Sequence, residues 1–179
     1  MTHIPLHKHT STQGDVDAPK HIVKMGDGHV AAAPWRIETV LGSCLGIALV
    51  WRRQAIYGMA HVVLPRCTNP DDPRKTRYGD TAVPYLLETM GVPRSQWKDV
   101  RAVLAGGSQI FQEGKTHVGA SNDESVRASL RSHRIRVIGE DTGGTTPRRL
   151  VINTSTGIVE CIHLVKDDEP SSSRWKLMH

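Results

Sequence analysis

With 179 residues, 38% of them hydrophobic and only one a Phe, the chain suffices for one domain cored by Val, Ile, Leu and Ala. It lacks the ~18–20-residue apolar run of a membrane span, an apolar secretory stretch at its start and the cysteine density of a disulfide scaffold, so a cytoplasmic protein with reduced thiols is expected. The net charge of +5 arises within residues 31–165, which hold 17 basic and 12 acidic groups; that suits an acidic partner, and equally a solvated basic face.

Residues 1–30 are polar and without sustained periodicity, and read as a disordered tail. His3, His7 and His9 lie in it, with no cysteine or carboxylate cluster beside them, so no metal site is expected. Residues 31–165 read as the single domain. Strands are expected over 35–41, 45–51 and 55–64 as a β-meander, the second (LGIALVW) apolar enough to be buried on both faces. The 14 residues RCTNPDDPRKTRYG form a long loop, a feature that in compact domains is often functional. Asp80 then caps a helix over 81–90, with Pro84 tolerated in its first turn. A strand over 100–104 runs into Gly106-Gly107. Ser121 and Glu124 form a capping box for a helix ending near His133, with Arg127, Arg131 and Arg134 as a basic stripe. A strand over 135–138, the turn EDTGG and a hairpin pairing 150–153 with 158–164 complete the domain. Residues 166–179 read as a second tail, although Trp175 and Leu177 can dock. The order of elements predicts an α+β fold, with mixed β-sheets packed as a sandwich and helices on the outer faces.

The segment Leu41-Gly42-Ser43-Cys44-Leu45-Gly46 is the most informative. It sets a thiol between two glycines where one strand ends and the next begins, a turn that can aim backbone N–H groups at a developing oxyanion. A buried Cys is otherwise an inert small hydrophobe. If Arg52-Arg53 is a two-residue hairpin loop, however, Cys44 lies directly opposite His61 on one face of the sheet. Arg-Arg is not a favoured pair for such a turn. A thiol beside an imidazole has the makings of an activated nucleophile with a lowered pKa; a core histidine bonded to a backbone carbonyl is the plainer alternative. Ser43 either positions a substrate amide or closes the turn, and Gly42, Gly106 and Gly107 are candidates to line the site. Asp141 with Arg148 and Arg149 reads as a structural ion pair. Cys67 and Cys161 read as bystanders. No zinc spacing and no phosphate loop are present. The aromatic residues are scattered rather than interleaved with basic ones, so nucleic acid is not an expected partner.

The series LGSCLGIALV, GMAHVVLP, RYGDTAV, AGGSQIF, VGASN, EDTGG and TGIV, in this order and spacing, resembles the CheD family of chemoreceptor glutamine deamidases from about Ile37 to Val159. The resemblance implies hydrolysis of glutamine side chains on the cytoplasmic domain of methyl-accepting chemotaxis receptors, without a cofactor and without membrane insertion. It also implies an α/β/β/α-layered fold akin to toxin deamidases that use a Cys–His pair, with the nucleophile at Cys44 and the base at His61. A third catalytic residue, a threonine, stands in some members six positions before the cysteine. That position is Glu38 here, with Thr39 one residue nearer, so Thr39, Glu38 or a backbone carbonyl is left to orient the imidazole; Thr39 is favoured. A role as an adaptor that binds receptors or a CheC-type phosphatase without catalysis is the competing reading.

Overall fold

The structure, a computed structural model, describes residues 18–109, 118–165 and 171–176. Ten strands form two five-stranded sheets. In spatial order, one holds β1 (Lys20–Ile22), β3 (Arg36–Leu41), β8 (Arg148–Asn153), β9 (Ile158–His163) and β10 (Ser172–Lys176). The other holds β2 (Gly28–Ala31), β5 (Ile56–Val62), β4 (Leu45–Trp51), β6 (Val100–Gly106) and β7 (Arg136–Thr142). Both sheets are mixed, with β1–β3 and β6–β7 parallel and the remaining pairs antiparallel.

The pattern of β4 explains why it is central. Leu45, Ile47, Leu49 and Trp51 pack against Ala82, Val83, Leu86 and Leu87 of α1 (Gly79–Thr89) and against Val126 and Leu130 of α2 (Val118–Ser132). The alternate residues Ala48 and Val50 meet Ile37, Leu41, Leu150 and Ile152 of the other sheet. Bulky side chains therefore fill the gap to the helices, while small ones let the two sheets approach.

Several expectations change. The first three strands are not one meander, because β3 belongs to one sheet and β4–β5 to the other. Residues 42–44 bend the chain out of one ladder into the next, a change of sheet that periodicity along the sequence does not register. Both helices cover the second sheet, giving three layers, α/β/β, among the described residues rather than four. The outer face of the first sheet instead carries paired charges, Lys20 and Arg36 on Glu38 and Arg174 on Glu160.

The tails are also shorter than expected. Residues 1–17, with His3, His7 and His9, lie outside the described residues, but β1 and β2 occupy most of 20–31. They were hidden because each is a short strand at the edge of a different sheet, with no side chain fully buried to mark it. At the other end β10 pairs with β9, and Trp175 packs on Gly139, where a Cβ would come within 2.5 Å of the indole. Helix boundaries move as well. Tyr78, not Asp80, is the N-cap of α1, and Asp80 instead accepts from the Cys67 amide at 3.0 Å. Helix α2 begins at Val118, so Ser121 and Glu124 lie inside it. No helix among the described residues is long and apolar enough to cross a membrane.

If β10 belongs to the fold, Trp175→Ala should cost about 1–3 kcal/mol of stability, read as a lower urea midpoint.

Candidate active site

Cys44 stands at the corner between the sheets. The Cys44 carbonyl accepts from the Gly107 amide at 2.8 Å and the Gly42 carbonyl from the Ser108 amide at 2.9 Å. The β4–β6 ladder, which pairs Leu45 with Gly106, thus continues to Cys44 opposite Gly107. Strand alternation then places the Cys44 side chain on the same face as Gly46, between the sheets, where it is half-buried against the inter-sheet core. Only glycine suits position 106. Its φ is +98°, and a Cβ there would stand 2.4 Å from the Cys44 carbonyl oxygen.

His61 lies opposite Gly46, not opposite Cys44. The hairpin pairs Trp51 with Ile56, so its loop is residues 52–55, and Ala55 takes the left-handed conformation at φ +50°. Arg52-Arg53 cannot readily supply the two positive φ values of a tight hairpin turn, and the longer loop shifts the register by two. A shift of two preserves the face. Cys44 and His61 remain diagonal neighbours on the inter-sheet side of adjoining strands, with Cα atoms about 7–8 Å apart by ordinary sheet geometry.

The imidazole is held from the opposite sheet. Ile37, Thr39 and Leu41 of β3 point inward, and the Thr39 hydroxyl lies 2.7 Å from His61 Nδ1. The same hydroxyl donates its proton to the Val23 carbonyl at 2.8 Å. A hydroxyl has one proton, so Thr39 accepts from His61 Nδ1–H and the imidazole carries its lone pair on Nε2. Nε2 is buried without a hydrogen-bond partner among the described residues. The backbone of His61 is pinned by the β1–β2 turn, its N–H to the Asp27 carbonyl at 3.0 Å and its carbonyl to the Gly26 amide at 2.9 Å. Glu38 faces away. It is the carboxylate of the outer-face ion pairs with Lys20 (2.5 Å) and Arg36 (3.3 Å); burial opposes its charge, but these two cations hold its pKa below the ordinary value.

Burial sets the protonation states. It pushes the Cys44 thiol above its ordinary value. It pushes His61 below its own, against smaller opposing contributions from the Val23 carbonyl and Asp27. Both shifts favour a neutral thiol and a neutral imidazole, so the lowered thiol pKa expected from the sequence is not what the resting geometry gives.

Ser43 is exposed at the tip of the corner. The N–H groups of Ser43 and Cys44 donate to no protein group among the described residues. Cys161 is fully buried and its pKa is pushed up to about 12 by desolvation and by Asp141, while the Cys67 thiol donates to the Asn69 carbonyl at 3.0 Å. Neither thiol is hydrogen-bonded to an imidazole among the described residues. The basic stripe on α2 is smaller than expected, because Arg127 is paired with Asp123 (2.7 Å) and Glu140 (2.8 Å). Asp141 pairs with Arg148 at 2.8 Å, whereas Arg149 is not its partner. The described residues hold no cluster of three metal-ligating side chains. Sequence reasoning missed Val23, Gly26 and Asp27 altogether, and residues 20–23, Lys-His-Ile-Val, carry no alternation that signals a strand there.

Fold and site together define a two-sheet α+β protein with a thiol, an imidazole and a hydroxyl gathered at one end of the inter-sheet core. The chain belongs to the CheD family: residues 63–163 match the family model described as CheD chemotactic sensory transduction. That match begins two positions after His61. A protein of Methanococcus maripaludis named as a probable chemoreceptor glutamine deamidase CheD is 37% identical over 139 residues, covering 76% of this chain and 90% of its own. Proteins of the same name from Bdellovibrio bacteriovorus (36% identical, 70% of this chain and 83% of theirs) and Clostridium novyi (36%, 77% and 89%) are similarly related. A solved Neisseria meningitidis protein overlays with a TM-score of 0.45 at 14% identity, covering 75% of this chain and 66% of its own.

Nitrogen NMR of His61 should report the Nδ1–H tautomer at neutral pH and titration below the ordinary value of 6.5, the tautomer preference fading in Thr39→Val. Alkylation of Cys44 by iodoacetamide should rise with pH through a midpoint above the ordinary thiol range, since only the thiolate reacts and burial disfavours it.

Proposed function

We propose that this protein is a glutamine deamidase acting on the cytoplasmic domain of chemotaxis receptors, with Cys44 as nucleophile, His61 as general base and Thr39 as the residue that orients His61. One observation carries the reading most directly: the hydrogen bonds of Thr39 leave an unpartnered, buried Nε2 lone pair on the face that Cys44 shares. The family and the names of the relatives supply the substrate class.

In this reading a glutamine amide enters the corner, and a rotamer change brings the Cys44 thiol to His61 Nε2. The neutral pair reacts by moving the thiol proton to Nε2 as sulfur attacks the amide carbon, so no free thiolate accumulates. The amides of Ser43 and Cys44, which have no other acceptor among the described residues, are placed to hold the oxyanion. Imidazolium gives its proton to the departing nitrogen, and the C–N bond breaks to leave a thioester and ammonia. Water, deprotonated by His61, then cleaves the thioester to glutamate and restores the thiol. These steps draw on side chains, backbone and water alone. Gly42, Gly106 and Gly107 contribute by letting backbone approach the nucleophile closely.

A non-enzymatic receptor adaptor is the second reading. What favours it is the raised Cys44 pKa together with the absence of any hydrogen bond from His61 Nε2 to the thiol. Mass spectrometry of a receptor cytoplasmic fragment separates the two. Wild type should raise specific glutamine residues by the mass difference of glutamate and release one ammonia per event, while Cys44→Ala binds and modifies nothing. Binding without modification by wild type favours the adaptor. His61→Ala should lower kcat by about 100-fold or more and Thr39→Val by about tenfold, with Glu38→Gln within about twofold of wild type. The acid limb of kcat/KM should fall below 6.5, because His61 must be neutral to act and its pKa is depressed. Removal of residues 1–31, which takes away Val23, Gly26 and Asp27, should abolish turnover.

A further inference from the structure

A guanidinium one layer behind the nucleophile is not used by the chemistry above. Arg148, the first residue of β8, is 4% exposed. Its Nε pairs with Asp141 Oδ1 at 2.8 Å and lies 3.4 Å from His163 Nε2. Its Nη1 donates to the Gly106 carbonyl at 3.1 Å and to Ser108 Oγ at 2.9 Å, and its Nη2 to the Gly143 carbonyl at 2.7 Å. Asp141 is itself held through Oδ2, 2.8 Å from His163 Nε2 and 3.4 Å from Ser173 Oγ.

The residues grasped by Arg148 are those that grasp the corner. Gly107 and Ser108 donate to the carbonyls of Cys44 and Gly42, while Ser108 Oγ donates to the Thr146 carbonyl at 2.8 Å. Gly106 and Gly107 have φ values of +98° and +67° and no side chains with which to pack. Two successive glycines are a soft support for a turn whose amide directions matter. The planar fork of arginine, fixed by a carboxylate on one side, can lock two carbonyls and a hydroxyl at once, which a lysine cannot. A buried ion pair is by itself weak evidence of a contribution to stability, so its placement here calls for another role.

We infer that Arg148, oriented by Asp141, is a positioning residue for catalysis: it fixes the Gly106–Ser108 strap and thereby the direction of the Ser43 and Cys44 amides. The inference rests on Cys44 being the nucleophile. Misplacing oxyanion donors by a fraction of an ångström weakens transition-state stabilisation while leaving binding nearly intact.

The test is steady-state deamidation of a receptor cytoplasmic fragment by full-length wild type, Arg148→Ala, Arg148→Lys and Ser108→Ala, with the unfolding midpoint of each. Arg148→Ala should lower kcat at least about tenfold with KM within about twofold, and Arg148→Lys should not restore it. Millimolar methylguanidinium should recover part of the lost kcat in Arg148→Ala. The acid limb of the pH profile should not move, because the Val23–Thr39–His61 contacts are untouched. Ser108→Ala, which removes one anchor and leaves the ion pair, should lose about threefold or more in kcat with an unchanged unfolding midpoint. A folded Arg148→Ala with kcat near wild type overturns the inference, as does a loss that follows the unfolding midpoint and is not rescued. If Arg148→Ala does not fold, Ser108→Ala decides, and an unchanged kcat there is fatal. Failure of the nucleophile reading itself looks different: Cys44→Ala would then turn over as wild type does, whatever Arg148 does.

Discussion

The single proton of the Thr39 hydroxyl is the constraint on which the site depends. Given to the Val23 carbonyl, it cannot be given to His61, and the imidazole must therefore donate from Nδ1. One hydroxyl thus couples three parts of the chain: the N-terminal strand β1 side, the inward face of β3, and β5 of the opposite sheet. The interaction is nearly dry, with Thr39 1% and His61 3% exposed, which makes an unpaired group there costly and the arrangement correspondingly specific. Were Thr39 free to turn, the lone pair of His61 could face either way.

The second constraint is the corner. A chain that passes from one sheet to another must break its ladder, and a break exposes backbone N–H groups that a strand would have consumed. Cys44 keeps one foot in the ladder, through its carbonyl to Gly107, while the amides of the corner remain unclaimed by protein groups among the described residues. The same bend that solves a topological problem therefore supplies polar hydrogens beside a thiol. The glycines at 106 and 107 permit the approach, and the Arg148–Asp141 pair gives that soft segment a rigid backing.

Electrostatically the site is quiet. Burial raises the thiol and lowers the imidazole, so both groups favour their neutral forms. A neutral pair between two sheets avoids the desolvation cost of a buried thiolate–imidazolium pair and limits indiscriminate thiol chemistry. The Arg148–Asp141 ion pair stands behind the strap that supports Cys44, while the ion pairs of Glu38 lie on the outer face of the first sheet.

The residue pattern by itself determined the α+β class, the central strand LGIALVW, the two amphipathic helices and the placement of Cys44 and His61 on one face of adjoining strands. That last point survived a wrong loop length because side chains alternate with a period of two, and an error of two residues leaves the face unchanged. The pattern also left Thr39 and Glu38 as rivals; both are buried in the folded protein, but adjacent residues of one strand point to opposite faces, and the Thr39 hydroxyl meets His61 Nδ1 while Glu38 meets Lys20 and Arg36. The tertiary structure alone decided that the chain changes sheets at residues 42–44, that residues 20–31 give one edge strand to each sheet with the turn between them bracing His61, that both helices share one side, and that Arg148 reaches the strap behind Cys44. Each depends on contacts between segments far apart in sequence, and the supports of His61 and of the strap end on backbone carbonyls and amides. Such groups carry no signature in the sequence, because composition and periodicity report side chains, whereas these supports are chosen by where the folded backbone happens to bring a donor to an acceptor.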